Sequence, residues 1–196
     1  MHWSWKVTSA PATEPLSLAD AKEQLRVDHN DEDDLITSLI TVAREWVENY
    51  CDRSLVTQTL VCKLDRFPYD HQSIMVPRGP VASITSIEYV DSDGVTQTWD
   101  SSKYTLDNFI EPARLEPTCN ESYPNARHQN NAVTITYQAG VADDAVESNI
   151  IHAMKLILTS LYEMRGADVC QQLYQPSMNV NALLGPYRLR YRGPWI

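Results

Sequence analysis

Apolar side chains recur at three- and four-residue steps in two blocks, and a stretch rich in β-branched residues lies between them. That order predicts helices, then strands, then helices. The first block opens at Ser17, which forms an S-x-x-D capping pattern with Asp20 and has Leu16 at the hydrophobic-staple position. Leu18, Ala21 and Leu25 then share one face of a short helix that ends near Val27. A longer helix is expected from about Glu32 to Tyr50, on the stripe Ile36, Leu39, Ile40, Ala43, Trp46, Val47 and Tyr50. Arg44, Glu45 and Glu48 fall off that stripe.

From Ser54 the texture changes. Val56–Leu64, Ile74–Val76, Ile84–Val90, Val95–Trp99 and Val133–Tyr137 read as strands. Asp91-Ser92-Asp93-Gly94 is a turn, so Ile84 to Trp99 is a hairpin. Pro77, Pro80, Pro112, Pro117 and Pro124 punctuate the rest. Proline is confined to sheet edges and loops, so these segments are expected to connect rather than pair. Five to seven short antiparallel strands are expected between Leu55 and Gly140.

The helical period returns at Asp143, with Val146, Ile150, Ala153, Met154, Ile157, Leu158, Leu161 and Met164 on a wide stripe and Gly166 as its C-cap. Ser177 caps a last short helix holding Val180, Leu183 and Leu184, which Gly185-Pro186 stops. Two helical blocks around a run of strands predict an α+β fold: a helical core with an inserted antiparallel β region and extended terminal arms. The expected boundaries are an N-terminal arm at 1–15, a helical core at 16–54 and 141–186, a β-rich insert at 55–140 and a C-terminal arm at 187–196.

Charge narrows the function. The 196 residues carry 16 Lys+Arg against 26 Asp+Glu, a formal net charge of −10. Duplex DNA is itself densely negative, so general DNA binding is disfavoured, although the chain could lie beside DNA without sticking to it. Asp28 to Asp34 places five acids in seven residues. A calcium loop begun at Asp28 would need glycine at position 33 and glutamate at position 39, where Asp33 and Leu39 stand. Helix capping by Asn30 or Asp31, with the acids at the positive end of the helix dipole, suffices to explain them, and no metal is expected. Cys51, Cys62, Cys119 and Cys170 are scattered without a C-x-x-C pair and read as reduced core thiols. The longest uncharged apolar run, Leu156 to Leu161, is far too short for a membrane span. Lys6 has no apolar run behind it, so no signal peptide is expected.

Phosphate-binding and hydrolase motifs are absent, and His2, His29, His71, His128 and His152 are dispersed. No enzyme activity and no cofactor are expected. The most informative polar feature is the tail. After Asp168 no acid follows, and Arg188, Arg190 and Arg192 alternate with Tyr187, Leu189 and Tyr191. An extended backbone puts the arginines on one face and the apolar groups on the other. The segment reads as an edge strand of the protein's own sheet, a phosphate-binding tail or a partner-binding arm; the last is preferred, because Arg, Tyr and Trp dominate interface energetics. Trp195 extends this set, and Trp3 and Trp5 form a second candidate contact at the other terminus.

Several stretches resemble the head–tail connector (adaptor, or head-completion) proteins of tailed bacteriophages, in the subfamily with a β-rich insert. They are Glu14-Pro15-Leu16-Ser17-Leu18-Ala19-Asp20-Ala21-Lys22 leading to Leu25-Arg26-Val27; Asp31-Glu32-Asp33-Asp34; Thr57-Gln58-Thr59; Leu64-Asp65-Arg66-Phe67-Pro68; Ile84 to Tyr89 with Asp91 to Gly94; Asn131-Ala132-Val133 with Ala139-Gly140; and Leu183 to Arg188. The chain departs from the pattern at Cys51-Asp52-Arg53, where a glycine is usual, and at Tyr123-Pro124, where Trp-Pro is usual. The resemblance implies a structural virion protein, a homo-oligomer in a twelve-fold ring beneath the portal protein. It would continue the channel for duplex DNA without sequence-specific binding and present a surface to a downstream neck/tail protein. It implies a place in the virion neck after assembly in the host bacterial cytoplasm, with no membrane partner. Asp31, Glu32, Asp33 and Asp34 are candidate lumen acids, and the Tyr187–Trp195 arm is a candidate contact for the portal or a neighbouring subunit. The competing readings are another neck component, such as a tail-completion or stopper protein, and a nucleic-acid-binding assembly factor acting through the arginine tail.

Overall fold

The computed structural model describes residues 3–69, 72–164 and 178–189. The fold is α+β. In chain order the elements are β1 (Trp3–Ser9), α1 (Leu18–Leu25), α2 (Asp33–Cys51), β2 (Gln58–Leu64), β3 (Ile74–Val76), β4 (Val81–Val90), β5 (Thr96–Thr98), β6 (Tyr104–Asp107), β7 (Ala113–Pro117), β8 (Val133–Ala139), α3 (Ser148–Glu163) and α4 (Met178–Leu184). The described residues fall into two compact units. A β unit takes those of segments 1–12 and 57–141, with Leu189, and a helical unit takes those of segments 13–56 and 142–188.

In the helical unit, Ser17 Oγ accepts the Asp20 N–H at 3.1 Å and caps α1. Leu16, the staple residue, is buried. Arg26 closes α1 in the left-handed region at φ 58. α2 buries Ile36, Ile40, Ala43 and Val47 of the expected stripe, together with Cys51, while Leu39, Trp46 and Tyr50 of that stripe are half-buried. Its start differs from expectation. Neither Asn30 nor Asp31 caps it; Glu32 is the flanking residue, and its side chain makes no cap hydrogen bond. The Asn30 side chain is engaged elsewhere, accepting from Lys22 Nζ at 2.7 Å. At the other end Asp52 takes the usual glycine's place at φ 55. Aspartate tolerates this conformation better than most residues. α3 buries Ile150, Ala153, Met154 and Leu158, and α4 buries Val180 and Leu184. The expected caps Gly166 and Ser177 lie outside the described residues.

The β unit holds two antiparallel sheets, of order β1-β2-β8-β4-β5 and β3-β7-β6. β2 alternates buried and half-buried residues along its whole length, the pattern of a strand with one face in a core. Leu60, Cys62 and Leu64 of β2 lie opposite Tyr137, Ile135 and Val133 of β8. Ile74, Val76 and Leu115 of the smaller sheet join the same buried cluster, with Phe67 and Trp99. Tyr137 OH, inside it, donates to Pro77 O at 2.8 Å, which satisfies a polar group that would otherwise be costly to bury. β4 and β5 form the expected hairpin, where Asp91 Oδ1 accepts the N–H groups of Asp93 and Val95 at 3.0 and 2.9 Å.

Two expectations change. Within the segment read as an N-terminal arm, Trp3–Ser9 is an edge strand, in register from Trp3 opposite Leu64 to Val7 opposite Leu60, with a shift before Ser9 opposite Thr59. The segment around Pro112 and Pro117, read as connecting, is strand β7, paired on both sides. The prolines sit just before its first residue and at its last, positions where the missing N–H costs the ladder least.

Candidate functional site

The acids at the α2 start are sorted by their neighbours. Asp33 Oδ1 is 2.7 Å from Lys22 Nζ, and Glu32 accepts from Tyr162 OH of α3. Asp34 is exposed, and the Asp31 side chain is 95% exposed, 4.0 Å from His29 Nδ1. The cluster therefore offers Asp31 and Asp34 to solvent and spends Glu32 and Asp33 on holding α2 to α1 and α3.

The tail begins as part of the helical unit. Tyr187 ends a 3-10 turn begun at Gly185. Its carbonyl accepts from Arg53 Nη1 at 3.4 Å, and its hydroxyl accepts from Asn149 Nδ2 at 3.3 Å. Arg188 is exposed, with its guanidinium 5.2 Å from the Tyr50 ring centre. That ring stacks on Trp46 at 5.2 Å. Leu189 is half-buried. Arg190, Tyr191, Arg192 and Trp195 lie outside the described residues. Of the aromatic pair near the N-terminus, the Trp3 backbone pairs with Leu64. Trp5 packs on the β core, and the Arg78 guanidinium lies 4.3 Å over its ring.

A constellation that periodicity hides lies in the helical unit. Arg44 is 4% exposed and Glu48 3%, although both fall off the apolar stripe of α2. Arg44 Nε bonds Glu14 Oε2 at 2.8 Å, and its Nη1 bonds Glu48 Oε2 at 2.9 Å. Glu48 Oε1 accepts the Leu55 N–H at 2.8 Å, and Thr41 Oγ1 donates to Glu14 Oε1 at 2.9 Å. Burial alone would lower the Arg44 pKa; the Glu14 bond and the charges of Glu48, Glu14 and Glu45 outweigh it and hold it above the ordinary value. The cation is thus locked between two carboxylates, a structural bracket rather than a reactive centre. The i,i+4 spacing of Arg44 and Glu48 is its one local signal.

Reactive chemistry finds little foothold. Among the described residues no three His, Cys, Asp or Glu side chains converge as a metal site. His29, His128 and His152 are exposed; His2 and His71 lie outside the described residues. Burial pushes the Cys62 thiol up to about 12, which removes it as a nucleophile near neutral pH. The Tyr123 phenol is pushed up too, by burial first and then by the Glu116 charge. An open groove of about 270 Å³ runs along Thr105, Asp107, Arg114, Glu116 and Pro117 to Cys119. Its charged groups are spent in pairs: Asp107 with Arg114 at 3.0 Å, and Glu116 with the Ser73 hydroxyl. No helix of the described residues is long and apolar enough to cross a membrane.

A family model described as Phage gp6-like head-tail connector protein matches residues 15–114. Three solved structures share the fold over nearly the whole chain. A chain in the neck of an empty GTA particle computed with C6 symmetry aligns at TM-score 0.77 and 20% identity, over 97% of this chain and 98% of that one. A chain in the virion of a native gene transfer agent (GTA) particle aligns at TM-score 0.74 and 22% identity, over 96% and 97%. A chain in the neck of a native GTA particle computed with C12 symmetry aligns at 0.72 and 19%, over 97% and 98%. No curated protein matches.

Proposed function

The chain belongs to the Phage gp6-like head-tail connector family, and from that membership we propose that it works as a repeated wall segment in a virion neck. Twelve copies form a ring beneath the portal, continue the DNA channel and present the attachment surface for the next neck or tail protein. The observation that carries this reading is the fold shared over 97% of the chain with a component of particle necks computed with six- and twelve-fold symmetry. A closed ring of identical copies needs two different, mutually complementary patches on each subunit. Its function is mechanical and involves no bond-making step.

Charge supports the same reading. A net charge of −10 lets a duplex slide past without trapping it. Asp31 and Asp34 are the acids of the cluster best placed to face a lumen, because Glu32 and Asp33 already hold neighbouring helices. The tail beyond Leu189, carrying Arg190, Tyr191, Arg192 and Trp195, is the contact for the portal or a neighbouring subunit. The edge strand β1, with Trp3 and Trp5, supplies a second contact surface. Assembly takes place in the host cytoplasm.

Loss of the gene product is expected to give DNA-leaking heads beside free tails in electron micrographs. Intact tailed particles would overturn the reading. Deleting residues 190–196 is expected to leave a folded protein that no longer completes heads. A salt-dependent DNA gel shift separates this reading from a nucleic-acid-binding factor, since a neck segment is expected to bind little DNA even at low salt.

A further inference from the structure

The chain has two phenylalanines with opposite fates. Phe67 is 5% exposed in the β core, whereas Phe109 is 97% exposed. Phe109 lies in the loop between β6 and β7, followed by Ile110, itself 36% exposed. This loop is held in place. Asp107 Oδ1 accepts the Phe109 N–H at 3.2 Å, and Asp107 Oδ2 bonds Arg114 Nη2 at 3.0 Å across the base of the loop. Asn108 Nδ2 donates to Val81 O at 3.2 Å, which fastens the loop to the first residue of β4. A large apolar side chain held outward on a pinned loop loses little freedom on docking, which is what an interface anchor requires.

The opposite end of the same three-stranded sheet carries a second exposed aromatic. β3 runs antiparallel to β7 with Val76 opposite Ala113, next to the Phe109 loop, and Ile74 opposite Leu115, away from it. Tyr69 lies near the Ile74 end: its carbonyl accepts the Gln72 N–H at 3.2 Å. Tyr123 OH in turn bonds Gln72 O and Leu115 O of the sheet. Tyr69 is 62% exposed. The Arg66 guanidinium covers its ring at 4.6 Å and has no carboxylate partner among the described residues. One end of the sheet therefore offers an apolar knob, and the other an aromatic plate with a guanidinium over it.

We propose that these two ends meet between copies: the Phe109–Ile110 tip of one subunit docks on Tyr69 and Arg66 of the next. Two unlike, complementary patches at opposite ends of one rigid element form the head-to-tail contact that closes a ring. The inference rests on the ring reading and names the residues of its subunit contact.

The test uses full-length protein assembled into particles, in a Cys119→Ser, Cys170→Ser background that leaves only the buried Cys51 and Cys62. Phe109→Cys combined with Tyr69→Cys is oxidised and run without reductant. A ladder of cross-linked multimers is expected, with each single substitution staying monomeric. If rings are visible by electron microscopy and no ladder forms, this contact is wrong and the ring reading stands. If the cysteine at position 109 links instead to another virion protein, the tip serves a different partner and the proposal is overturned. If the parent forms no rings at all, both readings fail. A second variant, Phe109→Asp, is expected to lower the yield of completed particles by on the order of tenfold. Its melting temperature should not change, because the side chain touches little of its own fold.

Discussion

The helical unit and the β unit are fixed by different chemistry. In the helical unit a buried cation, Arg44, bridges Glu14 and Glu48 and so pins the segment before α1 to the middle of α2. In the β unit the corresponding role falls to rings. Phe67 lies edge-on to Trp99 and Tyr89, at 5.5 and 5.9 Å, and stacks on Tyr123 at 5.3 Å. An ionic bracket is directional and fails abruptly when one member is lost, because a charge is left buried without its partner. An aromatic cluster is held by area and packing, so its loss scales with the volume removed.

Three experiments would break or sharpen that contrast. The largest effect is expected from Phe67→Ala, which should cost about 4 kcal/mol. Trp99 fluorescence should report the loss at lower denaturant, while the Arg44 bracket leaves the helical circular-dichroism transition nearly in place. A joint shift of both transitions would show that the units unfold as one. Next comes Arg44→Met, expected to cost about 3 kcal/mol through the stranded Glu48 carboxylate. The double variant Arg44→Met, Glu48→Leu should recover most of that loss in denaturant melts. A double variant no better than the single one would rule out stranded charge as the cause.

The smallest effect concerns acid. Bonds from the Gln97 side chain, then from the Val95 N–H, hold the Asp91 carboxyl below the ordinary value. A carboxylate depressed on folding contributes stability that is fully present above its unfolded pKa, about 4, and is lost as pH falls through the lower folded one. The Val95 amide resonance should therefore titrate with a midpoint below the ordinary aspartate value. A midpoint at or above the ordinary carboxylate value would refute the turn's electrostatic account.

The same contrast explains what could be read in advance. Helices announce themselves locally: Ser17, Leu16 and the Ile36–Val47 stripe sit where caps and core are needed. Charge placement was less legible, because helical periodicity sends Arg44 and Glu48 outward, and only the distant Glu14 reveals why they turn inward. Strands depend on partners far along the chain. Trp3–Ser9 alternates well, but its partner β2 lies beyond two helices. β7 is squeezed between prolines, which hid it as a strand even though its partner Ile74–Val76 could be read from its β-branched residues. The acid cluster was visible as composition, but Lys22 and Tyr162, which engage two of its five acids, were not. Phe109 carried one overlooked signal, an aromatic beside isoleucine in a loop otherwise built of Asp, Asn, Glu and Pro.

The placement of β1 has a consequence for how the protein is made and handled. Translation delivers this strand before its partner, and it has nothing to pair with until Gln58–Leu64 has been synthesised. Its closure over a long intervening segment is a slow step of the kind that limits folding rate. Until then the flank of β2 is bare, a template onto which the strand of a second nascent chain could swap. A purification tag fused ahead of Trp3 would hang on the piece that seals this sheet, so tags are better carried at the far terminus when solubility is the concern.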